Sequence, residues 1–332
     1  MKRILICVLM LIISSAPRLY AQQPDFHGGF QNIQPPVEPD FKDVNYANDT
    51  LEAHRMDIYL PKTGKAPYPA VVAIYGSAWY SNNMKAITYF SMGKPLLEAG
   101  FAVICINHRS SADDKFPAQL HDVKGAIRFV RANAKKYKID PKFMGITGFS
   151  SGGHLASMAG VTNNATTRKV QTFQYDAKWN KLSRREVEIY IEGEIGGNTS
   201  YSSSVDAVVD WFGPVDMFRM RNCDSINDAK SPEAALIGAT PTENTEMIDL
   251  ISPIKYVTSV ENIPPFLIIH GDADNVVPYC QSKYFAEVLD QKGALDELVT
   301  VPGGQHGPIT FNDATFKKMT DFFTKVYNSK KK

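Results

Sequence analysis

The sequence predicts an α/β fold in which a mostly parallel central sheet is flanked by helices. Near-continuous apolar runs at residues 70–75 and 101–106 have the pattern of strands that are buried on both faces. Residues 117–137 then carry apolar side chains at helical spacing, and this alternation of strand and helix is typical of α/β proteins. We therefore expect a single domain over residues 41–328.

Further elements can be assigned along the chain. Residues 41–60 predict an edge hairpin that turns near Asn48 and ends at Pro61. An apolar segment from residue 143 predicts a strand that leads into a glycine-rich turn and a helix. The remaining expected elements are strands at 205–212, at 266–270 and near 298–301, and a closing helix at 311–327.

The N-terminus has the features of an export signal. Lys2 and Arg3 precede an apolar run over residues 4–13, which is too short to span a bilayer. We predict a signal peptide over residues 1–21, followed at 22–40 by a flexible leader rich in Gln, Pro and Gly. The mature protein is then exported, either to the periplasm or outside the cell, with no membrane span.

Composition excludes several classes of partner and site. The formal net charge of +1 gives no reason to expect binding to nucleic acid or to an anionic membrane. Three of the four cysteines follow the signal peptide, and this odd, small number predicts no disulfide framework. Cys105 lies in an apolar run and is expected in the core.

No Cys/His spacing suggests zinc, so we predict neither metal nor cofactor. The oligomeric state stays open.

A Gly-x-Ser-x-Gly match runs from Gly148 to Gly152. In this pattern the serine occupies a sharp strand-to-helix turn that leaves no room for side chains two residues to either side. The helix that follows directs free amides and its positive dipole end at the same point. We therefore predict Ser150 as a nucleophile. Ser151 is the nearest rival, but the glycines do not bracket it symmetrically, and an ordinary glycine-rich loop is the alternative.

A serine nucleophile needs a base, and the base needs an acid that sets its tautomer. His306 is the predicted base because it lies in a glycine-rich loop after the last predicted strand, whereas His154 is expected to be a structural hydrogen bonder. The acid should follow a strand between the serine and the histidine. Asp274 and Asp272 compete for this role, and we favour Asp274 because Asp272 is better placed to stabilise the turn.

An oxyanion hole requires backbone amides from the loop after an early strand, together with the amide that follows the nucleophile. Small residues after the strand at 70–75 suit this loop. We assign the donors to the amides of Ser77, Ala78 and Ser151. Residues 163–203 interrupt the α/β alternation with polar and charged residues, and we expect them to form either a lid, a substrate wall or surface decoration.

These motifs together resemble the α/β-hydrolase esterases, in the branch that groups feruloyl- and acetylxylan-esterase-like enzymes with hormone-sensitive-lipase-like carboxylesterases. The likeness extends from about residue 44 to about residue 323. It implies a triad of Ser150, Asp274 and His306. The family usually has His-Gly-Gly where this chain has Tyr75, Gly76 and Ser77, and it commonly has Ala at the position of Ser151.

The resemblance implies a secreted serine carboxylester hydrolase. We expect its substrate to be a small ester or an acylated oligosaccharide that carries acetyl or feruloyl groups, and we expect Trp79, Tyr80 and Trp211 to contact the sugar or the aryl ring. A broad-specificity carboxylesterase or lipase is one alternative. A catalytically silent, hydrolase-like binding protein is another, because the oxyanion loop is altered.

Overall fold

The computed structural model describes residues 37–163, 165–176 and 181–331. In this part of the chain the strands are β1 Phe41–Asn45, β2 Arg55–Tyr59, β3 Tyr68–Ile74, β4 Ala102–Ile106, β5 Ile139–Phe149, β6 Thr167–Asp176, β7 Lys181–Tyr190, β8 Ala207–Trp211, β9 Phe266–Gly271 and β10 Leu295–Val301. The helices are α1 Lys85–Thr88, α2 Lys94–Glu98, α3 Ala118–Ala132, α4 Ser151–Val161, α5 Pro232–Ile237, α6 Thr245–Leu250, α7 Cys280–Gln291 and α8 Asp313–Ser329, and a π-helical turn, Tyr89–Gly93, joins the first two.

An eight-stranded sheet carries the fold, with its strands in the order β1-β2-β4-β3-β5-β8-β9-β10. Strand β2 is antiparallel to both of its neighbours, while the strands from β4 to β10 in this order are parallel to one another. The side chains of β3 beyond its first residue, and all those of β4, are buried. Helices cover both faces of the sheet, so the side chains on both sides of these strands are buried. This burial explains why the strand sequences are continuous apolar runs. The predicted α/β class with a mostly parallel sheet is confirmed.

Two apolar layers hold the helices against the sheet. Residues of α3, α4 and α7 belong to the core cluster on one face. On the other face, Leu96 of α2 and the α8 residues Met319, Phe322 and Phe323 pack in a second cluster. Because parallel strands end at the same edge of a sheet, the loops after β3, β5, β9 and β10 lie together at that edge, where the predicted site residues are found.

One predicted helix is shorter than the sequence pattern suggests. Helix α3 ends at Ala132, although apolar residues continue at helical spacing to residue 137. Ala134 and Tyr137 are still buried, with 6% and 1% of their surface exposed. Both residues pack into the core from the connection between α3 and β5. The apolar spacing therefore predicts the burial of these side chains correctly but overestimates the length of the helix.

The predicted insertion at 163–203 contains a two-stranded antiparallel pair, β6 and β7, separate from the main sheet. Residues 164 and 177–180 of this insertion lie outside the described residues. Charged side chains hold its base: Arg168 pairs with Asp249 of α6 at 2.8 Å, and Glu192 pairs with Lys124 and Arg128 of α3 at 2.9 and 2.5 Å. The insertion therefore has fixed attachment points on the domain, and its role as a lid or substrate wall stays a prediction.

The structure corrects the expectation about cysteines. Cys223 and Cys280 form a disulfide bond across 57 residues of sequence, while Cys105 is free and buried in the core as expected. The bond joins the turn after β8 to the first residue of α7. Counting cysteines could not reveal this pairing, because the packing of two distant loops brings the thiols together.

The predicted signal peptide, residues 1–21, lies outside the described residues, as does the predicted leader up to residue 36. Among the helices that the structure does describe, none has the length and apolar content needed to cross a bilayer.

Candidate active site

Ser150 lies at the turn between β5 and α4, with a backbone φ of 55° and ψ of −125°. The two glycines that flank Ser150, Gly148 and Gly152, have no space for a side chain. A Cβ atom on Gly148 would lie 2.2 Å from the carbonyl oxygen of Gly152, and one on Gly152 would lie 2.3 Å from the carbonyl oxygen of Ile74. The glycines are therefore needed for close backbone approach, and the left-handed conformation of Ser150 is held by its surroundings.

His306 reaches the serine from the loop after β10. Its Nε2 atom lies 2.9 Å from Ser150 Oγ. The edge of its ring meets the ring of Phe212, with centroids 4.7 Å apart, and this contact limits how far the imidazole can turn. The loop after β10 lies directly against the loop after β9, because a Cβ on Gly271 would lie 2.2 Å from the carbonyl oxygen of Gly304. The glycine contact brings the predicted base and the predicted acid into reach of each other.

Asp274 completes the relay of hydrogen bonds. Its Oδ2 atom lies 2.7 Å from His306 Nδ1, and its Oδ1 atom accepts hydrogen bonds from the amides of Val276 and Val277 at 2.8 and 2.9 Å. Burial acts to raise the pKa of Asp274, but the hydrogen bonds from His270 and His306 outweigh it and hold the pKa well below its usual range. The carboxylate is therefore ionised wherever the imidazole can act as a base.

The rival aspartate lies elsewhere. Asp272 Oδ1 accepts a hydrogen bond from the amide of Gly303 at 2.6 Å, and its side chain is exposed. This bond ties together the loops after β9 and β10. The structure thus brings Asp274 to His306 and gives Asp272 a contact in the turn.

A second histidine supports the acid. His270, at the end of β9, places Nε2 3.2 Å from Asp274 Oδ2 and 3.0 Å from the carbonyl oxygen of Val277, and its Nδ1 lies 2.6 Å from Ser282 Oγ. Because the carboxylate and the carbonyl accept at Nε2, this nitrogen carries the proton and Nδ1 accepts from the hydroxyl. His270 is therefore a buried support for Asp274 at the end of β9.

The loop after β3 passes beside the nucleophile. A Cβ on Gly76 would lie 2.7 Å from Ser150 Cβ, so only glycine permits this approach. Ala78 and Trp79 have positive φ angles of 50° and 59°, which are uncommon for residues with side chains and turn the loop sharply. Among the described residues, the amides of Ala78 and Ser151 have no hydrogen-bond acceptor. Both therefore remain available to an incoming oxyanion.

The amide of Ser77 differs from the predicted arrangement. It donates a hydrogen bond to Ser151 Oγ at 2.8 Å. The prediction that this amide contacts the oxyanion directly does not match the structure, because the hydroxyl of Ser151 already occupies its donor. The sequence contained one sign of this difference. The family that the chain resembles commonly has Ala at the position of Ser151, so the hydroxyl that accepts from Ser77 is a departure from that pattern.

Two of the three predicted substrate contacts are buried. Trp79 is 2% exposed and Trp211 is not exposed at all, so neither presents its ring to a substrate. Trp79 Nε1 donates to His154 Nδ1 at 3.3 Å, and Trp211 packs on Phe311 with ring centroids 4.9 Å apart. Tyr80 is half-buried and keeps the predicted position beside the oxyanion loop.

His154 has the structural role that the sequence predicts. It accepts from Trp79 at Nδ1, and its Nε2 donates to the carbonyl oxygen of Ile251 at 2.8 Å. Burial lowers the pKa of His154 to about 4, so the ring is neutral at physiological pH. The residue holds the oxyanion loop against the segment that follows α6.

The arrangement suits acyl transfer through a serine. A hydroxyl, an imidazole and a carboxylate form a continuous relay, and the amide of Ser151 follows the nucleophile directly in the chain. In the described part of the chain, no group of three or more His, Cys, Asp or Glu side chains is arranged to hold a metal ion.

Known proteins are similar to this chain in sequence and fold. A family model described as BD-FAE matches residues 56–289. A truncated form of a carbohydrate esterase from gut microbiota is 54% identical with a TM-score of 0.78, and the match covers 86% of this chain and 95% of that one. A bifunctional GH43-CE protein from Bacteroides eggerthii is also 54% identical, with a TM-score of 0.79, over 86% of this chain and 35% of that one.

A relative among curated proteins is Esterase LipC of Mycobacterium tuberculosis, which is 31% identical over 270 residues, or 80% of this chain. The chain spans 59% of the length of that relative. Because the family model covers well over half of the sequence, the chain belongs to the BD-FAE family and has the α/β-hydrolase fold.

Proposed function

We propose that the protein is a secreted serine carboxylester hydrolase that removes small acyl groups, acetyl or feruloyl, from plant polysaccharide fragments. The observation that carries this proposal is the relay from Ser150 through His306 to Asp274, whose two hydrogen bonds measure 2.9 and 2.7 Å. The relay has the connectivity needed to remove a proton from the serine hydroxyl and later return it.

The order of steps that we propose follows the general chemistry of such a relay. Ser150 Oγ attacks the ester carbonyl carbon while His306 Nε2 takes the hydroxyl proton, and Asp274 stabilises the imidazolium through Nδ1. The amides of Ala78 and Ser151 are the proposed donors to the oxygen on which negative charge develops. His306 then gives its proton to the leaving alcohol. Water then gives a proton to His306 as its oxygen bonds to the acyl carbon. The bond from that carbon to Ser150 Oγ breaks, and His306 returns the proton to Ser150 Oγ as the acid leaves.

Relatives support the class of substrate. The two structures at 54% identity are named a carbohydrate esterase and a bifunctional GH43-CE protein, and a chain this similar is expected to share their type of substrate. Tyr80 is the one predicted aromatic contact that keeps part of its surface accessible. Its position two residues beyond Ala78, in the loop after β3, supports a contact with a sugar or aryl group beside the ester.

The N-terminal sequence and the disulfide support export. Lys2, Arg3 and the apolar run that follows have the pattern of a secretory signal, and disulfides such as Cys223–Cys280 persist in oxidising compartments. An exported esterase would meet polysaccharide fragments outside the cytoplasm. Fractionation of cells that express the full chain tests this, and retention of uncleaved protein in the cytoplasm would contradict it.

Purified protein should be assayed on acetylated and feruloylated oligosaccharides beside simple aryl acetates. We expect release of acetate or ferulate from the oligosaccharides. Activity confined to long-chain lipid esters would reject the carbohydrate role, and activity on simple esters alone would favour a broad carboxylesterase. The engaged amide of Ser77 motivates a second candidate, a silent binding protein. Covalent labelling by a fluorophosphonate that is lost in Ser150→Ala would reject that candidate.

A further inference from the structure

The hydrogen bond between Ser77 and Ser151 lies inside the candidate active site. Ser77 N donates to Ser151 Oγ at 2.8 Å, and the two residues are 6% and 1% exposed. Gly76 lies against Ser150 on one side of this bond, and Ser151 follows Ser150 directly on the other. The hydroxyl of Ser151 is therefore a buried polar group next to the nucleophile.

This hydroxyl has an unused donor. A serine hydroxyl can donate one hydrogen bond and accept two. Ser151 Oγ accepts from Ser77, but among the residues that the structure describes no acceptor lies within hydrogen-bond distance of its own proton. A buried hydroxyl donor without an acceptor costs free energy, so its presence beside the reacting serine calls for a partner that arrives with the substrate.

The amide of Ser77 is fixed in its present direction. The carbonyl oxygen of Ser77 accepts from the amide of Tyr80 at 2.9 Å, and the hydroxyl of Ser77 accepts from the amide of Ser81 at 3.3 Å. Turning the Ser77 amide toward a substrate would break the bond to Ser151 and disturb these two contacts. The loop therefore favours an arrangement in which Ser77 keeps donating to Ser151 throughout the reaction.

We propose that the hydroxyl of Ser151 is a side-chain oxyanion donor, which replaces the direct contact expected from the Ser77 amide. In the tetrahedral intermediate, Ser77 N–H donates to Ser151 Oγ, and Ser151 Oγ–H donates to the negatively charged oxygen. No covalent bond changes at Ser151. The first hydrogen bond polarises the second, which strengthens it as charge develops. This inference rests on the proposed serine esterase activity and extends it.

Replacing Ser151 with alanine tests the proposal, because it removes the hydroxyl and keeps the Ser151 amide. We expect kcat on an aryl acetate to fall by about 100-fold, the size of effect seen when one oxyanion donor is lost, with little change in KM. The affinity for a trifluoromethyl ketone, which forms a tetrahedral adduct with the serine, should fall in parallel. Ser151→Cys, whose thiol is a weak donor, should show the same direction of change if the alanine variant folds poorly.

The matched control is Ser157→Ala. Ser157 is a buried serine of the same helix, and its hydroxyl donates to Asp210 Oδ2 at 2.7 Å, away from the reacting atoms. We expect this variant to lose thermal stability and to keep its kcat. Circular dichroism establishes that each variant is folded.

Unchanged or increased kcat in folded Ser151→Ala would overturn the proposal, since the freed Ser77 amide would then serve the oxyanion as well or better. The rate of fluorophosphonate labelling provides a second readout, because the phosphonyl oxygen uses the same donors. That rate tests the role of Ser151 even if the acylated oligosaccharides prove not to be substrates. Wild-type protein that labels readily but fails on those oligosaccharides would contradict the proposed substrate and leave the test of Ser151 intact.

Discussion

Replacing Asp274 with asparagine should remove most of the activity by forcing His306 into the wrong tautomer. Asp274 Oδ1 accepts from the amides of Val276 and Val277. The N–H of His270 that donates to Oδ2 also has the carbonyl oxygen of Val277 as an acceptor, so an asparagine should place its carbonyl oxygen at the Oδ1 position. Its NH2 group then takes the position of Oδ2, 2.7 Å from His306 Nδ1. That nitrogen must become an acceptor, and the proton moves to Nε2. The protonated Nε2 can no longer receive the proton of Ser150.

The expected effect is large because the alternative orientation of the amide is also unfavourable. A flipped asparagine would direct its NH2 group at two N–H donors, which costs free energy for each unmatched group. Loss of the correct tautomer lowers kcat by about 10⁴-fold in the serine hydrolases for which it has been measured, or about 5 kcal/mol of transition-state stabilisation. We expect a similar loss here, with KM changed by less than about threefold.

Steady-state kinetics on an aryl acetate measure this effect, and Asp272→Asn is the matched control. Asp272 is exposed and makes no hydrogen bond with His306, since in the described residues its carboxylate accepts only from the amide of Gly303. The control should keep its activity within about twofold. A fall of less than tenfold in Asp274→Asn, or a larger fall in Asp272→Asn, would refute the assignment of the acid.

Three further predictions concern stability. Burial acts to lower the pKa of His54, but hydrogen bonds to Asp122 and Asp49 raise it overall, so protonated His54 stabilises the fold at low pH and this contribution is lost as pH rises through the folded-state pKa. Urea unfolding should therefore show that His54→Gln is more destabilising at pH 5.5 than at pH 8.5, and an equal effect at both would contradict the charge interaction. Glu192→Gln should cost about 3–5 kcal/mol, because it leaves Lys124 and Arg128 buried without a carboxylate, and a urea midpoint unchanged from wild type would argue against it. Cys223→Ser should lower the free energy of unfolding by about 4 kcal/mol, as expected for a crosslink over 57 residues, and reductant should destabilise the wild type but not the variant.

Much of the fold could be predicted because its signals are local. The apolar runs of β3 and β4 reflect burial on both faces of the sheet, and Gly148 and Gly152 reflect a turn whose backbone atoms approach within van der Waals contact. The order of serine, acid and histidine along the chain led to residues that the structure brings together. The inferences about the strands and the turn each depend on a few neighbouring residues, whereas the triad also required the order of its members along the chain.

The inferences that went wrong concern side chains whose surroundings come from distant segments. Trp79 and Trp211 resemble exposed aromatic platforms in sequence, yet His154 and Phe311 cover them in the fold. The sequence of the insertion likewise gave no indication that Glu192 pairs with the buried cations Lys124 and Arg128 of α3. Burial of a side chain depends on what packs over it, and the local pattern carries no information on that partner.

The amino-acid sequence was enough to predict the α/β class and the sharp turn at Ser150, because local sterics and burial leave a pattern in neighbouring residues. Chain order then narrowed the candidates for base and acid. Tertiary packing was needed to show that the Ser77 amide donates to Ser151, that Cys223 bonds to Cys280, and that His270 supports Asp274. The physical reason is that hydrogen bonds and disulfides require atoms within a few ångströms. For residues far apart in the chain, packing of the sheet and its loops sets that distance.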